Sequence, residues 1–466
     1  MRRRRKYPCQ RPKLPRRAFL KAGSLGFAGL ALPELLRAEA AVGSRDSTKA
    51  VVNIHLDGGP PHMDLIDLKP DAPVEIRGEF HGIETRVPGL QICELLPKLA
   101  QLADKFVFVR SLVGSAGAHD AFQCQSGFAA KDLQSLGGRP ALGCVVSKLR
   151  GSRADTSPSF VDLMQGRPFV RNSARPGFLG PAYQPFRPDI SHLFARELEQ
   201  GMKGELARRG EYHATSFTLN EQLNAARVDD RLRLLRGFDR LRRDVDASGM
   251  MDAMDDFSRQ ALGILTSGRF SRAMDLGQED AATIARYTLE LPNDQLGTSD
   301  GAEAVKKLLL ARRLIEAGVR CVSLTLSDFD THRGNFSRLR YLLPVLDQGL
   351  FALATDLEER GMLDDVSIVV WGEFGRTPRV NGGAGRDHWP AAGMALLAGG
   401  GMRTGQVLGA TDRHAAAVVS RPVRYQDVMA TLYRNLRIDP VQTTLSDPAG
   451  RPQYLVDQGQ AIGELL

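Results

Sequence analysis

Cysteine is scarce, with five in 466 residues, and Cys9 lies in an N-terminal stretch that reads as a removable leader. The others, Cys93, Cys124, Cys144 and Cys321, form no Cys-x-x-Cys pair. Their wide spacing fits neither a zinc knot nor a disulfide-dense scaffold. Buried free thiols are the expectation, with one disulfide as the alternative. Beyond the leader no apolar run is long enough to span a bilayer, which takes ~20 residues. Internal repeats and low-complexity tracts are also missing. So is net charge: the first 40 residues hold 11 of the 62 Lys and Arg and two of the 54 Asp and Glu, leaving 51 against 52. The basic balance therefore belongs to the leader. With no interleaved basic and aromatic stretches either, a nucleic-acid partner is not expected.

The leader itself has the three-part layout of an export signal. Basic residues lead into Arg16-Arg17-Ala-Phe-Leu-Lys21, an apolar run covers 22–36, and Ala38-Glu39-Ala40 offers a small-x-small cleavage site. The Arg-Arg block resembles the twin-arginine consensus, with Pro15 where a Ser or Thr is usual. Residues 1–40 are expected to be read by the twin-arginine translocase, which exports folded proteins to the periplasm or beyond. The run is too short, and too rich in Gly and Ala, for the alternative of a membrane anchor.

Short apolar, β-branched runs at 50–56, 106–112, 319–326, 366–371 and 394–398 read as buried parallel strands. Helix-length periodic segments at 93–103, 302–317 and 341–360 lie between several of them. The alternation predicts an α/β fold with a mostly parallel sheet. Residues 189–288 are charged, helical in period and without a convincing strand, and read as a helical insertion.

Open α/β sheets build sites at the carboxyl ends of their strands. Here those ends carry His55-Leu-Asp57-Gly-Gly-Pro-Pro-His62, Ser115-Ala-Gly-Ala-His119, Asp328-Phe-Asp330-Thr-His332, Glu373-Phe-Gly-Arg376 and Arg386-Asp387-His388. Carboxylates and imidazoles gathered from several strand ends are the donor types of a divalent metal centre, with zinc, calcium or magnesium as candidates. Asp57, Asp330, His332, Glu373, Asp387 and His388 are the candidate ligands. Arg376 and Arg386 would grip an anionic group, unless they form internal salt bridges to Glu373 or Asp387. Ser115 is a candidate nucleophile or a turn residue, and His119 a ligand or base.

Several blocks resemble one large bacterial family, the domain of unknown function 1501. They are Gly58-Gly-Pro-Pro-His-Met-Asp-Leu-Ile-Asp-Leu-Lys-Pro70, Glu75-Ile-Arg-Gly-Glu-Phe80, Val87-Pro-Gly-Leu-Gln-Ile-Cys-Glu-Leu-Leu-Pro97, Gly372-Glu-Phe-Gly-Arg-Thr-Pro378 and Gly385-Arg-Asp-His-Trp-Pro390. The resemblance covers the chain after the leader. The family is similar to the alkaline phosphatase and sulfatase superfamily, which implies a three-layer α/β/α sandwich spanning 48–466 with metal ligands at strand ends. In that scheme Asp57 takes the first ligand position, Asp330 and His332 a later pair (Asp328 having the superfamily's three-residue gap to His332), and His388 the last, with Asp387 beside it. Glu373-Phe374-Gly375 stands where Asp-His-Gly is usual, so one metal rather than two is expected. The Cys-x-Pro-x-Arg signature of sulfatases is absent, which argues against a standard sulfatase.

The sequence therefore points to an exported metal-dependent hydrolase of phosphate or sulfate esters, with an anionic ester or polysaccharide as substrate. The competing expectation is a non-catalytic envelope protein that uses the same cleft to bind a polymer or protein.

Overall fold

The computed structural model describes residues 48–119, 121–129, 131–151, 155–164, 174–193, 268–291 and 300–466. The expected leader lies outside the described residues, and so does the expected insertion apart from its two ends.

Eight strands form one sheet. In chain order they are β1 (Ala50–Leu56), β2 (Phe106–Val113), β3 (Phe160–Leu163), β4 (Cys321–Leu326), β5 (Val366–Trp371), β6 (Gly393–Gly399), β7 (Gln406–Leu408) and β8 (Val423–Arg424). Their spatial order is β7-β2-β6-β5-β1-β4-β3, with β8 sharing the outer edge of β2. β1 runs parallel to both β4 and β5, Val52 facing Val322 and Ile368. All seven residues of β1 are buried, which explains its nearly unbroken apolar sequence.

Alternate residues of each strand feed two separate cores, one on each face of the sheet. On one face Val52, Ile54, Phe108, Leu324 and Ile368 pack against α2 (Val305–Glu316) and α3 (Asn335–Glu359). On the other, Val51, Val109, Val369 and Trp371 pack against α1 (Leu142–Arg150) and α4 (Tyr425–Asn435). The result is a three-layer α/β/α sandwich. Asn53, on the second face, is buried but paired: it accepts from the Trp371 indole at 2.8 Å and donates to the Cys124 carbonyl at 2.8 Å. The four cysteines among the described residues are buried free thiols.

One strand departs from expectation. β6 is antiparallel to both of its neighbours, β5 and β2. The connection from β5, residues 372–392, contains no helix, only a short ribbon pairing Gly375–Arg376 with His388–Trp389. A parallel return needs a crossover to the far end of the sheet. Without one, the chain turns over at the strand end and comes straight back.

That turnover lies at the same sheet end as the segments following β1 and β4, and main-chain bonds stitch the three together. Phe329 N–H donates to the Asp57 carbonyl at 2.9 Å, Arg386 N–H to that of Thr331 at 2.9 Å, and Gly334 N–H to that of Gly383 at 3.0 Å. Gly58 has φ +99°, and a Cβ there would sit 2.4 Å from the Asp330 nitrogen. Glycine satisfies both the backbone angle and the close approach. Among the described residues, no helix is long and apolar enough to cross a membrane.

Candidate metal centre

The stitched segments carry three of the expected side chains, and the segment after β2 brings a fourth, His119, to them. His119, Asp330, His332 and His388 each present one ligand atom, all within 4.8 Å of one another. Asp330 is the hub. Its Oδ1 lies 3.1 Å from His332 Nε2 and 3.4 Å from His388 Nε2, and its Oδ2 lies 3.3 Å from His119 Nε2. The two Nε2 atoms of His332 and His388 are 3.0 Å apart. Tetrahedral coordination with ~2.0–2.1 Å bonds places neighbouring donor atoms roughly 3.3 Å apart, so this set fits one cation with little rearrangement. Three imidazoles and one carboxylate suit zinc or a neighbouring first-row metal better than calcium or magnesium, which favour oxygen donors.

The rings are aimed from behind. His332 Nδ1 lies 2.6 Å from Asp387 Oδ1, and Asp387 Oδ2 accepts from Asn381 Nδ2 at 3.2 Å. His119 Nδ1 lies 3.3 Å from Glu373 Oε1. A carboxylate on the far nitrogen is how proteins fix the tautomer of a ligating imidazole. The geometry thus gives Asp387, expected as a ligand, an orienting position at this cluster, and Glu373 orients His119 while remaining a candidate ligand of the adjoining group. Phe374 holds the third ring, stacking on His388 with centroids 4.1 Å apart. It stands where the resemblance would place another histidine, and it fills that space with an apolar ring.

Asp57, an expected ligand, belongs with His55 and Glu373 to an adjoining buried group whose ligand atoms also lie within 4.8 Å of one another and could hold a metal ion. His55 Nε2 is 3.0 Å from Glu373 Oε2, and Gly58 N–H donates to Glu373 Oε1 at 2.9 Å. Glu373 therefore joins the buried group to the half-exposed one. Sequence reasoning gave His55 no role, although a histidine inside an otherwise apolar buried strand was a signal. Asn381 carried none.

The charges are strongly perturbed. Hydrogen bonds to Asp330 and then Glu373 outweigh burial and raise the His119 pKa to about 9. Burial pushes Asp330 up, but hydrogen bonds from His119, His388 and Arg376 hold it far below the usual carboxylate range. Glu373 is likewise held down by His119 and His55 against its complete burial.

Three other expected residues are committed to the protein itself. Arg386 is fully buried, and its Nε and Nη2 grip Asp64 Oδ2 and Oδ1 at 2.7 and 2.8 Å. Arg376 is also fully buried, donating to the carbonyls of Gly58, Gly59 and Arg386 and, at 2.5 Å, to Asp330 Oδ1. Neither faces a substrate as an anion grip: both are ties, with partners other than the expected Glu373 and Asp387. Ser115 Oγ donates to the Glu373 carbonyl at 2.6 Å and accepts from Gly117 N–H at 3.0 Å, an arrangement of a turn residue.

Fold and site together define an α/β/α protein with a candidate metal centre at the carboxyl edge of its sheet. Residues 48–466 match the family described as "Protein of unknown function (DUF1501)", and the chain belongs to that family. No curated protein matches it. Among solved structures it is similar to the PsFucS1 sulfatase from Pseudoalteromonas sp., at 12% identity and TM-score 0.35, covering 91% of this chain and 72% of that one. It is also similar to the lipoteichoic acid synthase LtaP from Listeria monocytogenes, at 10% identity and TM-score 0.30, covering 84% and 72%. A third is the phosphonate monoester hydrolase of Agrobacterium radiobacter, at 12% identity and TM-score 0.29, covering 84% and 74%.

Proposed function

We propose that the protein is an exported metal-dependent hydrolase of phosphate or sulfate esters. The observation that carries this reading is the cluster of His119, Asp330, His332 and His388, with donor atoms at coordination spacing and two rings oriented by carboxylates. A divalent cation held there supplies Lewis acidity toward a phosphoryl or sulfuryl oxygen and lowers the pKa of a water. The chain's own part is to hold those donors rigid. Glu373 and Asp387 fix ring orientation, and Arg376 pins the Asp330 carboxylate to the Gly58 and Gly59 carbonyls. In this reading water attacks and Ser115 is a turn residue. Residues 1–40 act as the twin-arginine leader, and export of a folded chain lets the centre load before the protein leaves the cytoplasm.

The test is elemental analysis of natively exported protein together with turnover of chromogenic phosphate and sulfate esters. About one metal per chain and turnover lost in His332→Ala are expected. Metal-free protein with no turnover, unaffected by that substitution, overturns the reading.

A specific observation also favours the competing reading of a non-catalytic binding protein. Both arginines and the serine that a hydrolase would use on substrate are spent on internal contacts. Stoichiometric metal without turnover of any ester would select it.

A further inference from the structure

A pocket of about 320 Å³ opens between the segment that follows β1 and Arg110 of β2, and none of the candidate ligands lines it. Lys69, Arg77, His81, Glu84, Gln91 and Arg110 supply its polar lining. It lies at the same sheet end as the histidine cluster. Lys69 sits on the loop that begins at Asp57, and Arg110 lies in the carboxyl half of β2. Gly78 forms part of the wall, and a Cβ there would come 3.3 Å from Nη2 of Arg386, the neighbour in sequence of Asp387.

The cations outnumber the anions available to them. Lys69 Nζ and Arg110 Nε converge on one oxygen of Asp67, at 2.9 and 3.7 Å, while the other Asp67 oxygen accepts from the Thr411 hydroxyl. Arg110 Nε is buried and makes no hydrogen bond, and burial lowers the Arg110 pKa against the attraction of Asp67. Arg77 is exposed, and no ion pair or hydrogen bond of its side chain occurs among the described residues. On the acidic side, Glu84 is already accepting from Gln91 Nε2 at 2.5 Å. Three cations around a concave space face two carboxylates, Asp67 behind them and Glu84 on the wall, and the remaining positive charge leaves a site that an incoming anion completes.

The rest of the polar lining narrows the ligand further. Glu84 and Gln91 place acceptors and an amide beside the cations, an arrangement that suits hydroxyl groups next to a charge. A lipid chain would need an apolar groove. Nucleic-acid bases would need exposed aromatic faces, and Phe80, the aromatic of the wall, is buried and covered by Phe336 and Arg340.

We propose that this pocket is an anion subsite for an anionic polysaccharide, receiving the sulfate or carboxylate of one sugar while an ester on the same chain reaches the histidine cluster. This deepens the hydrolase reading and rests on it.

The test is calorimetric titration of the full chain with a sulfated hexasaccharide, a uronic-acid hexasaccharide, a neutral hexasaccharide and polyglutamate. Arg77→Glu and Lys69→Ala are the variants, and chromogenic monosaccharide ester turnover is followed in parallel. Arg77 is exposed, so its replacement should leave the melting temperature unchanged. The expected result is binding of one or both charged hexasaccharides, weakened about tenfold or more by Arg77→Glu, with monosaccharide ester turnover unaffected. Which hexasaccharide binds distinguishes sulfate from carboxylate. Wild-type binding retained in both variants overturns the subsite, as does equal binding of the neutral hexasaccharide or preference for polyglutamate. If no ester is turned over yet Arg77→Glu still loses the hexasaccharide, the subsite stands and hydrolysis falls.

Discussion

His332 and Asp387 meet at 2.6 Å through Nδ1 and Oδ1, and this contact turns the other ring nitrogen toward Asp330 and His388. Asp387 is half exposed and its carboxyl is held down first by the His332 hydrogen bond and then by Asn381. Its role is thus separable from that of a ligand. Asp387→Asn should keep the fold and lower metal affinity about 10–100-fold, as losing such orienting partners generally does. His388→Ala, which removes a donor, should cost more. Chelator competition titrations compare the two.

Protonation of His119 makes a directional prediction. In the unfolded chain a histidine titrates near ~6.5, whereas His119 in the folded, metal-free protein is raised to about 9. Its contribution to stability is therefore complete below that unfolded value and is lost as pH rises through about 9. Melting temperature of metal-free protein should fall between pH 7 and 9, and His119→Gln should flatten that slope. A metal must displace the same proton, so apparent affinity should rise by up to about tenfold per pH unit over that window. Calorimetry in buffers of different ionisation enthalpy would count the proton released.

The Arg386–Asp64 pair predicts a purely structural phenotype. Both groups are essentially fully buried, and Asp64 also accepts from Asn335 Nδ2 at 2.8 Å. Arg386→Leu leaves Asp64 charged without its principal partner, which costs about 3–5 kcal/mol. Denaturant unfolding should show the loss, and saturating metal should not restore wild-type behaviour at equal metal occupancy. Loss of activity with unchanged stability would instead return Arg386 to a substrate-binding role.

Gly58→Ala tests the stitched loops. The new Cβ would press on the Asp330 nitrogen at 2.4 Å, in a backbone region that alanine rarely adopts. Because Asp330 is the hub, metal affinity should fall by more than tenfold while secondary structure by circular dichroism is retained. Equilibrium dialysis measures the first quantity.

Much of the frame was legible because buried strands announce themselves. β1 and β5 match their sequence-read limits, since apolar runs bounded by polar residues have one natural length. The direction of β6 was not legible, because an apolar run reads the same either way. α3 starts at Asn335, six residues before the expected start, and runs through Pro344; a proline is at home in a first turn and so suggests a later beginning. The histidines and Asp330 were found because strand ends concentrate donor residues. The orienting contacts of Glu373 and Asp387 and the internal ties of the two arginines were not, because each depends on what lies behind it. Asp64 is 322 residues from Arg386 in the chain, and no local spacing links them. His55 remained unassigned because strand alternation, rather than a motif, brings it to Glu373.

The main-chain stitching of the β1, β4 and β5 loops bears on how such a protein can diversify. Bonds such as Phe329 to Asp57 and Arg386 to Thr331 join backbone to backbone, so away from close approaches such as Gly58 they tolerate side-chain change but not a change of loop length. An insertion in any one of the three would break the bonds that tie it to its neighbours. New specificity must therefore come from outside the knot, where peripheral segments can lengthen without disturbing the four donors. Transplanting this centre into another scaffold would require moving the three loops as one unit.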